Sequence, residues 1–424
     1  MSFRQLNCGI RVVLEPMPHF HSISLGVWVN AGSIFESASN AGVSHFIEHM
    51  LFKGTERRSA VDISMETDAI GANLNAFTAK ECTCFHIKAA REDMPLCVDL
   101  LSDLVLHSKL DPEELEREKG VVLEEIAMNR DFPEDLVFEK AAESFYAGTP
   151  LSREILGTEE TVSGLYADDL RAYMDVHYTA ENIVIAAAGS FDEDALIAEL
   201  EDKFSSVPHG TRQPVPAYAP NGGVSFSFTE KDAEQVHTVL VFPGAALSTD
   251  ESFTLAVLSN ILGGSMSSRL FRHIREERGL CYSVYSYPTT YRGIGSLAIY
   301  VASTEKQAEE ALRLIFAELD DLMQNGVTEA EFVRCRQQLR GSYALGMESA
   351  SAHMNAIGKT ALLVGTAYDL EETLGRIGSV TKEQVQDMIE KTFTRDRFTL
   401  ASVGRIAGLK EKLTARTKNW SKQQ

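Results

Sequence analysis

Cysteine is scarce: six in 424 residues, none in a CxxC pair, which argues against a disulfide framework and suits a reducing compartment. Cys82 and Cys84 alternate in a strand-like run and read as buried small hydrophobes, not ligands. No uncharged apolar stretch reaches the roughly 18 residues that a membrane-spanning helix needs. The opening MSFRQLNCG has no basic segment followed by an apolar run, so no secretory leader is expected and the expected location is cytoplasmic. Basic residues are in deficit, 40 against 61 acidic, for a net charge of -21 that would repel a polyphosphate. Neither nucleic acid nor membrane is therefore expected as a partner. Gly263-Gly264-Ser265 lacks the GxxxxGK[ST] spacing of a phosphate loop and reads as a turn.

With 44% apolar residues the chain falls in the ordinary globular range, and its length exceeds what one hydrophobic core supports. Residues 205–223 hold four of the twelve prolines, a composition that continues neither a helix nor a central strand. The expected organisation is a first domain over 1–210, a linker over 211–223 and a second domain over 224–424. The halves repeat each other in order. Val27-Trp28-Val29-Asn30-Ala31-Gly32 returns as Val239-Leu240-Val241-Phe242-Pro243-Gly244, an offset of 212. Leu110 to Leu115 returns as Val327 to Phe332, an offset of 217, and Tyr178 to Gly189 as Phe393 to Gly404, an offset of 215. Strand runs (Ser22 to Asn30, Asn75 to Ala89, Ile183 to Ala188) mix with longer helical periods without strict alternation. That pattern predicts an α+β class: two homologous domains, each a mostly antiparallel sheet with helices packed on one face.

His45-Phe46-Ile47-Glu48-His49 is an HxxEH sequence, and imidazoles at i and i+4 on a helix can converge on one ion. Val43, Phe46, Ile47, Met50 and Leu51 form the apolar stripe of an amphipathic helix, which puts His45, Glu48 and His49 on the opposite side. Asn40 or Ser39 is placed to cap its start and Gly54 to stop it. A catalytic zinc needs a third protein donor beside an open position. Asp111-Pro112 opens a second helix on which Glu118, Val122 and Glu125 share a face, with Glu124 turned away by about 100°. Periodicity alone does not choose between Glu125 and Glu124. His86, His177 and His237 fall in strand-like or strand-edge contexts and read as structural.

HFIEH followed by Glu125 within EREKGVVLEE resembles the inverzincin peptidases, the family of pitrilysin, insulin-degrading enzyme and the mitochondrial processing peptidase β subunit, and the resemblance runs over essentially the whole chain. It implies a zinc endopeptidase with His45, His49 and Glu125 as ligands, Glu118 as a supporting carboxylate and Glu48 as the base. Gly71 to Thr78 resembles the family's substrate-binding edge strand, which implies that Asn75, Ala76 and Phe77 meet an extended peptide substrate. Arg275 and Tyr282 resemble the family's Arg and Tyr pair that reaches the substrate. The length is similar to the short two-domain branch, which implies half of a clamshell chamber completed by a homodimer.

Carried across by the offsets, His45, Glu48 and His49 correspond to Val257, Asn260 and Ile261, and Glu125 to Ser342. The second copy is thus degenerate, and one Zn2+ per chain is expected. The competing reading is an inactive scaffold relative that binds a partner subunit; such relatives commonly carry a damaged motif, and this one is complete.

Overall fold

The strand runs resolve into β1 (Ser2–Gln5), β2 (Arg11–Pro16), β3 (Ser22–Val29), β4 (Asn73–Thr78), β5 (Thr83–Ala90) and β6 (Ile183–Gly189), a sheet of order β1-β2-β6-β3-β5-β4, in which β3 and β6 are buried along nearly their whole length and not on alternate residues as expected. Only β2 and β6 pair in parallel; every other neighbour is antiparallel. The computed structural model describes residues 1–218 and 222–422; the rest of the expected linker, 219–221, lies outside the described residues. A second sheet follows from β7 (Val224–Glu230), β8 (Val236–Pro243), β9 (Ser283–Tyr291), β10 (Ile294–Ser303) and β11 (Phe398–Gly404), in order β7-β11-β8-β10-β9. Again the pairs are antiparallel except one, β7 with β11. Strand for strand this is the order β2-β6-β3-β5-β4, so the sequence repeat is a repeat of topology, to which β1 adds an extra edge.

The run read as one strand from Asn75 to Ala89 is a hairpin. Lys80 and Glu81 interrupt its apolar pattern, and Ala79 N–H donates to the Cys82 carbonyl across the turn at 2.8 Å. Cys82 closes that turn and Cys84 lies in β5; both are buried.

The compact units do not divide at residues 210 and 224. The first unit holds 1–127, 153–216 and 346–368; the second holds 128–152, 217–345 and 369–424. Two helices therefore change places: Ala350–Leu363 belongs with the first sheet and Pro133–Phe145 with the second. The reason is that each sheet has apolar side chains on both faces. On β3, Ile23, Leu25, Val27 and Val29 enter the core built with first-half helices, while Trp28 points to the other side and donates its indole N–H to Met354 Sδ at 3.4 Å. Arg11 and Arg212 donate to the carbonyls of Ala361 and Leu362 at the end of that helix, at 3.1 and 2.6 Å. In the second unit Phe138 packs against Tyr300 and Tyr287, ring centres 5.3 and 5.6 Å away. No helix among the described residues is long and apolar enough to cross a membrane.

Candidate metal centre

The apolar stripe of HFIEHM predicts a helix, and one runs over Val43–Leu51 with Val43, Phe46, Ile47, Met50 and Leu51 buried. Its start is not capped by Asn40 or Ser39. Gly42 occupies the cap at φ 94, and a Cβ there would lie 2.6 Å from the Leu156 carbonyl oxygen, so no capping side chain fits. Glu36 takes over from outside the helix: its buried carboxylate accepts from the N–H groups of Gly42 and Ser44 at 2.8 and 3.0 Å. Asn40 instead accepts from Ser37 N–H at 2.7 Å. Gly54 is not the stop either; the helix ends at Leu51, and Gly54 forms a bridge with Ser59 beyond it.

Opposite stands the long helix Pro112–Asp131, opened by Asp111 Oδ1, which accepts from Glu113 and Glu114 N–H at 2.8 and 3.2 Å. The two helices aim three donors at one point. Glu125 Oε2 lies 3.6 Å from His45 Nε2 and 3.3 Å from His49 Nε2, and the three donor atoms fall within 4.8 Å of one another. Glu124 is exposed, so tertiary packing makes the choice that periodicity left open. Behind His49, its Nδ1 lies 2.8 Å from Glu118 Oε1, an orienting carboxylate on an imidazole that leaves Nε2 facing Glu125. His45 Nδ1 is buried without a hydrogen-bond partner, so only one of the two imidazoles is held this way.

Electrostatics follow the packing. Burial and the neighbouring His49 push His45 down to about 4, against the pull of Glu125, so its ring is neutral at ordinary pH, as a ligand requires. Burial also acts to lower His49, but hydrogen bonds and charge from Glu125 and Glu118 outweigh it and raise the group. Those bonds from His49 hold the Glu125 carboxyl below its usual range. Glu48 is raised by burial, despite a 2.6 Å hydrogen bond from Thr78 Oγ1. A His, His, Glu set with one carboxylate behind it and another beside it suits a catalytic zinc, which takes three protein donors and keeps a position open.

Thr78 ends β4, which is an edge of its sheet. The three residues expected to meet a peptide divide between the faces of that strand. Leu74 and Ala76 pack against the core shared with the site helix, while Phe77 meets Trp28 at 5.5 Å on the opposite face and Asn75 is exposed. In the second unit, Arg275 and Tyr282 form a pair: the guanidinium stands over the ring at 5.0 Å, and Tyr282 is 74% exposed. Arg275 comes from a π-helical segment, Phe271–Glu276, a geometry frequent at functional sites. His86, His177 and His237 lie outside the three-donor cluster; His177 stacks on Tyr173 at 4.2 Å and His237 Nδ1 lies 2.8 Å from Tyr300 Oη. Thr78 and Glu36 escaped the sequence reading. Thr78 lay within the edge-strand motif, but its reach to Glu48 depends on where the helix is packed, and nothing local marks Glu36 as a cap.

Residues 11–159 match the family model described as insulinase (peptidase family M16), and residues 165–339 the model described as peptidase M16 inactive domain. The chain is 37% identical over 415 residues to an uncharacterized zinc protease of Streptomyces coelicolor, covering 96% of this chain and 90% of that one. It is 38% identical over 388 residues to an uncharacterized zinc protease of Bacillus subtilis, covering 92% and 94%. Among solved structures, a peptidase M16 inactive domain from Pseudomonas fluorescens superposes with a TM-score of 0.88 at 20% identity, covering 95% and 97%. A chain of complex III2 from Candida albicans gives 0.85 at 20% identity and 99% coverage of both.

Proposed function

The chain belongs to the M16 insulinase family of peptidases, and from that premise we propose that it is a zinc-dependent endopeptidase acting on peptides or unfolded segments. What supports this most is the convergence of His45 Nε2, His49 Nε2 and Glu125 Oε2, with Glu48 on the next turn of the same helix and not among them. His45, His49 and Glu125 would hold the zinc, one per chain, since Val257, Ile261 and Ser342 offer no such set. When bound, zinc supplies a water of pKa near about 7 and a Lewis acid for the scissile carbonyl.

Glu48 then accepts the proton of the attacking water and delivers it to the leaving amine nitrogen. Thr78 holds that carboxylate in place, and burial makes it a stronger base than an exposed glutamate. Glu118 keeps the Nδ1 proton of His49, so the Nε2 lone pair stays free. The main chain of β4 at Asn75, Ala76 and Phe77 pairs with an extended peptide as one more strand. Because Thr78 closes that strand against Glu48, a peptide added there is led toward the base. Arg275 and Tyr282 are assigned, through the family resemblance alone, to holding the peptide or the tetrahedral oxyanion, a role worth roughly 10² to 10³ in rate for an aimed donor. A homodimer would complete the four-domain chamber implied by that resemblance; an active monomer in light scattering contradicts it.

Purified chain incubated with a mixed peptide library should cleave it, lose the activity to a chelator and regain it with zinc. The competing scaffold reading draws on a solved neighbour described as an inactive domain and another from complex III2. It predicts substoichiometric zinc and no cleavage even with a partner added, and the intact donor set weighs against it.

A further inference from the structure

Lys53 follows His49 by four residues, just beyond the end of the site helix. Its Nζ lies 2.6 Å from Glu118 Oε2, while Glu118 Oε1 lies 2.8 Å from His49 Nδ1. One carboxylate is thus shared between an imidazole of the metal centre and a cation. We propose that Lys53 is a positioning residue for that centre: by occupying Oε2 it fixes the Glu118 carboxylate so that Oε1 accepts a hydrogen bond from His49 Nδ1–H and Nε2 stays aimed at Glu125. The inference rests on reading His45, His49 and Glu125 as zinc ligands.

Two further observations separate this from a lysine placed for solubility. The turn that carries Lys53 is not loose. Gly54 takes φ 120, a conformation only glycine adopts without strain, and its carbonyl accepts from Lys109 N–H at 3.1 Å. Thr55 Oγ1 then donates to buried Asp103 at 2.7 Å, and Arg58 binds the same carboxylate oxygen at 2.8 Å, so the turn is pinned to the helix Met94–His107. The second observation is the internal repeat. At the offsets of 212 and 217, Lys53 and Glu118 correspond to Ser265 and Cys335, so both are missing from the copy that lacks the ligands. A lysine serving only the dipole at the helix end has no reason to disappear with Glu118, because the matching helix Asp250–Leu262 has the same dipole. Nor is this an ordinary surface pair: the Glu118 side chain is 6% exposed, and without Lys53 its carboxylate loses one of two partners.

The test compares Lys53→Met, Lys53→Arg, Glu118→Gln and the Lys53→Met/Glu118→Gln double variant. Zinc affinity, read by competition with a chelator, should fall about ten- to a hundredfold in Lys53→Met and be largely restored by Lys53→Arg. The double variant should bind no more weakly than Glu118→Gln alone, since Lys53 acts through Glu118. Nitrogen NMR of the metal-free protein, above the pH of imidazole titration, should show His49 as the Nδ1–H tautomer in wild type and as a mixture in Lys53→Met. Unchanged affinity, an unchanged tautomer, or additive losses would overturn the proposal. The tautomer measurement needs no metal, so it still decides the Lys53 contact if the wild-type chain binds no zinc, a result that would sink the peptidase reading by itself.

Discussion

Apart from the extra edge β1, the two units carry one strand order, and they contrast at one pair of helices. In the first, Val43–Leu51 and Pro112–Asp131 face each other through two imidazoles and two carboxylates. In the second, Asp250–Leu262 and Glu329–Gly346 face each other through an amide: Asn260 Nδ2 donates to the Cys335 carbonyl and Gln338 Oε1 at 2.6 and 2.8 Å. Val257 and Ile261, at the positions of the two histidines, are buried in the core. The sheet and its apolar core therefore do not require the metal site. A neutral, hydrogen-bonded amide joins the same helix pair, whereas clustered imidazoles and carboxylates carry a burial penalty that an ion would offset.

The sharpest break in that comparison is at Glu48, the counterpart of Asn260. Glu48→Gln should keep zinc and lower peptidase turnover by about 10² to 10⁴, the usual range for a lost general base, while His45→Ala loses both. Undiminished turnover in Glu48→Gln removes the mechanism. Next comes the third donor. Glu125→Gln should weaken zinc binding by more than the about ten- to hundredfold of an outer partner, with Glu124→Gln unchanged in a metal titration; the reverse ranking would mean that the wrong carboxylate was chosen. Smaller, and confined to stability, is Asn260→Leu, which removes two hydrogen bonds between the helices, to the Cys335 carbonyl and Gln338 Oε1, and should cost about 1–3 kcal/mol in denaturant unfolding while zinc content stays at wild type. A loss of zinc there would end the separation of roles between the units.

The last effect concerns a histidine of the first unit that lies outside the three-donor cluster. Burial pushes His177 down to about 4 from 6.5. Between those values the unfolded chain binds the proton and the folded chain does not, so this group subtracts stability as pH falls from about 6.5 to about 4. His177→Phe should flatten that limb of the unfolding midpoint against pH, and an equally steep limb would show that another group titrates there.

Much of the site was legible because it is local. His45, Glu48 and His49 are fixed on one helix by spacing, and the apolar positions between them say which way the helix turns. The duplication was legible too, since in-register segments 212 to 217 residues apart need no structure to be seen. The contiguous halves were not how the molecule divides. Pro133–Phe145 and Ala350–Leu363 are amphipathic helices like the others, and nothing in them says which sheet they cover. The caps failed for a related reason: Asn40 and Ser39 have the right chemistry, but the close approach of Leu156 to Gly42 and the buried Glu36 decide that end of the helix.

By itself, then, the sequence determined the class of fold, its duplication, the pair of histidines with their glutamate and the loss of donors in the second copy. These are properties of periodicity and spacing, which act over a few residues or repeat along the chain. Only the tertiary structure placed Glu125, and not Glu124, beside His45 and His49, brought Glu118 between His49 and Lys53, set Thr78 against Glu48 and assigned two helices across the sequence halves. Each of those depends on distance through space between segments remote in the chain, a quantity set by how cores pack and not by any local pattern.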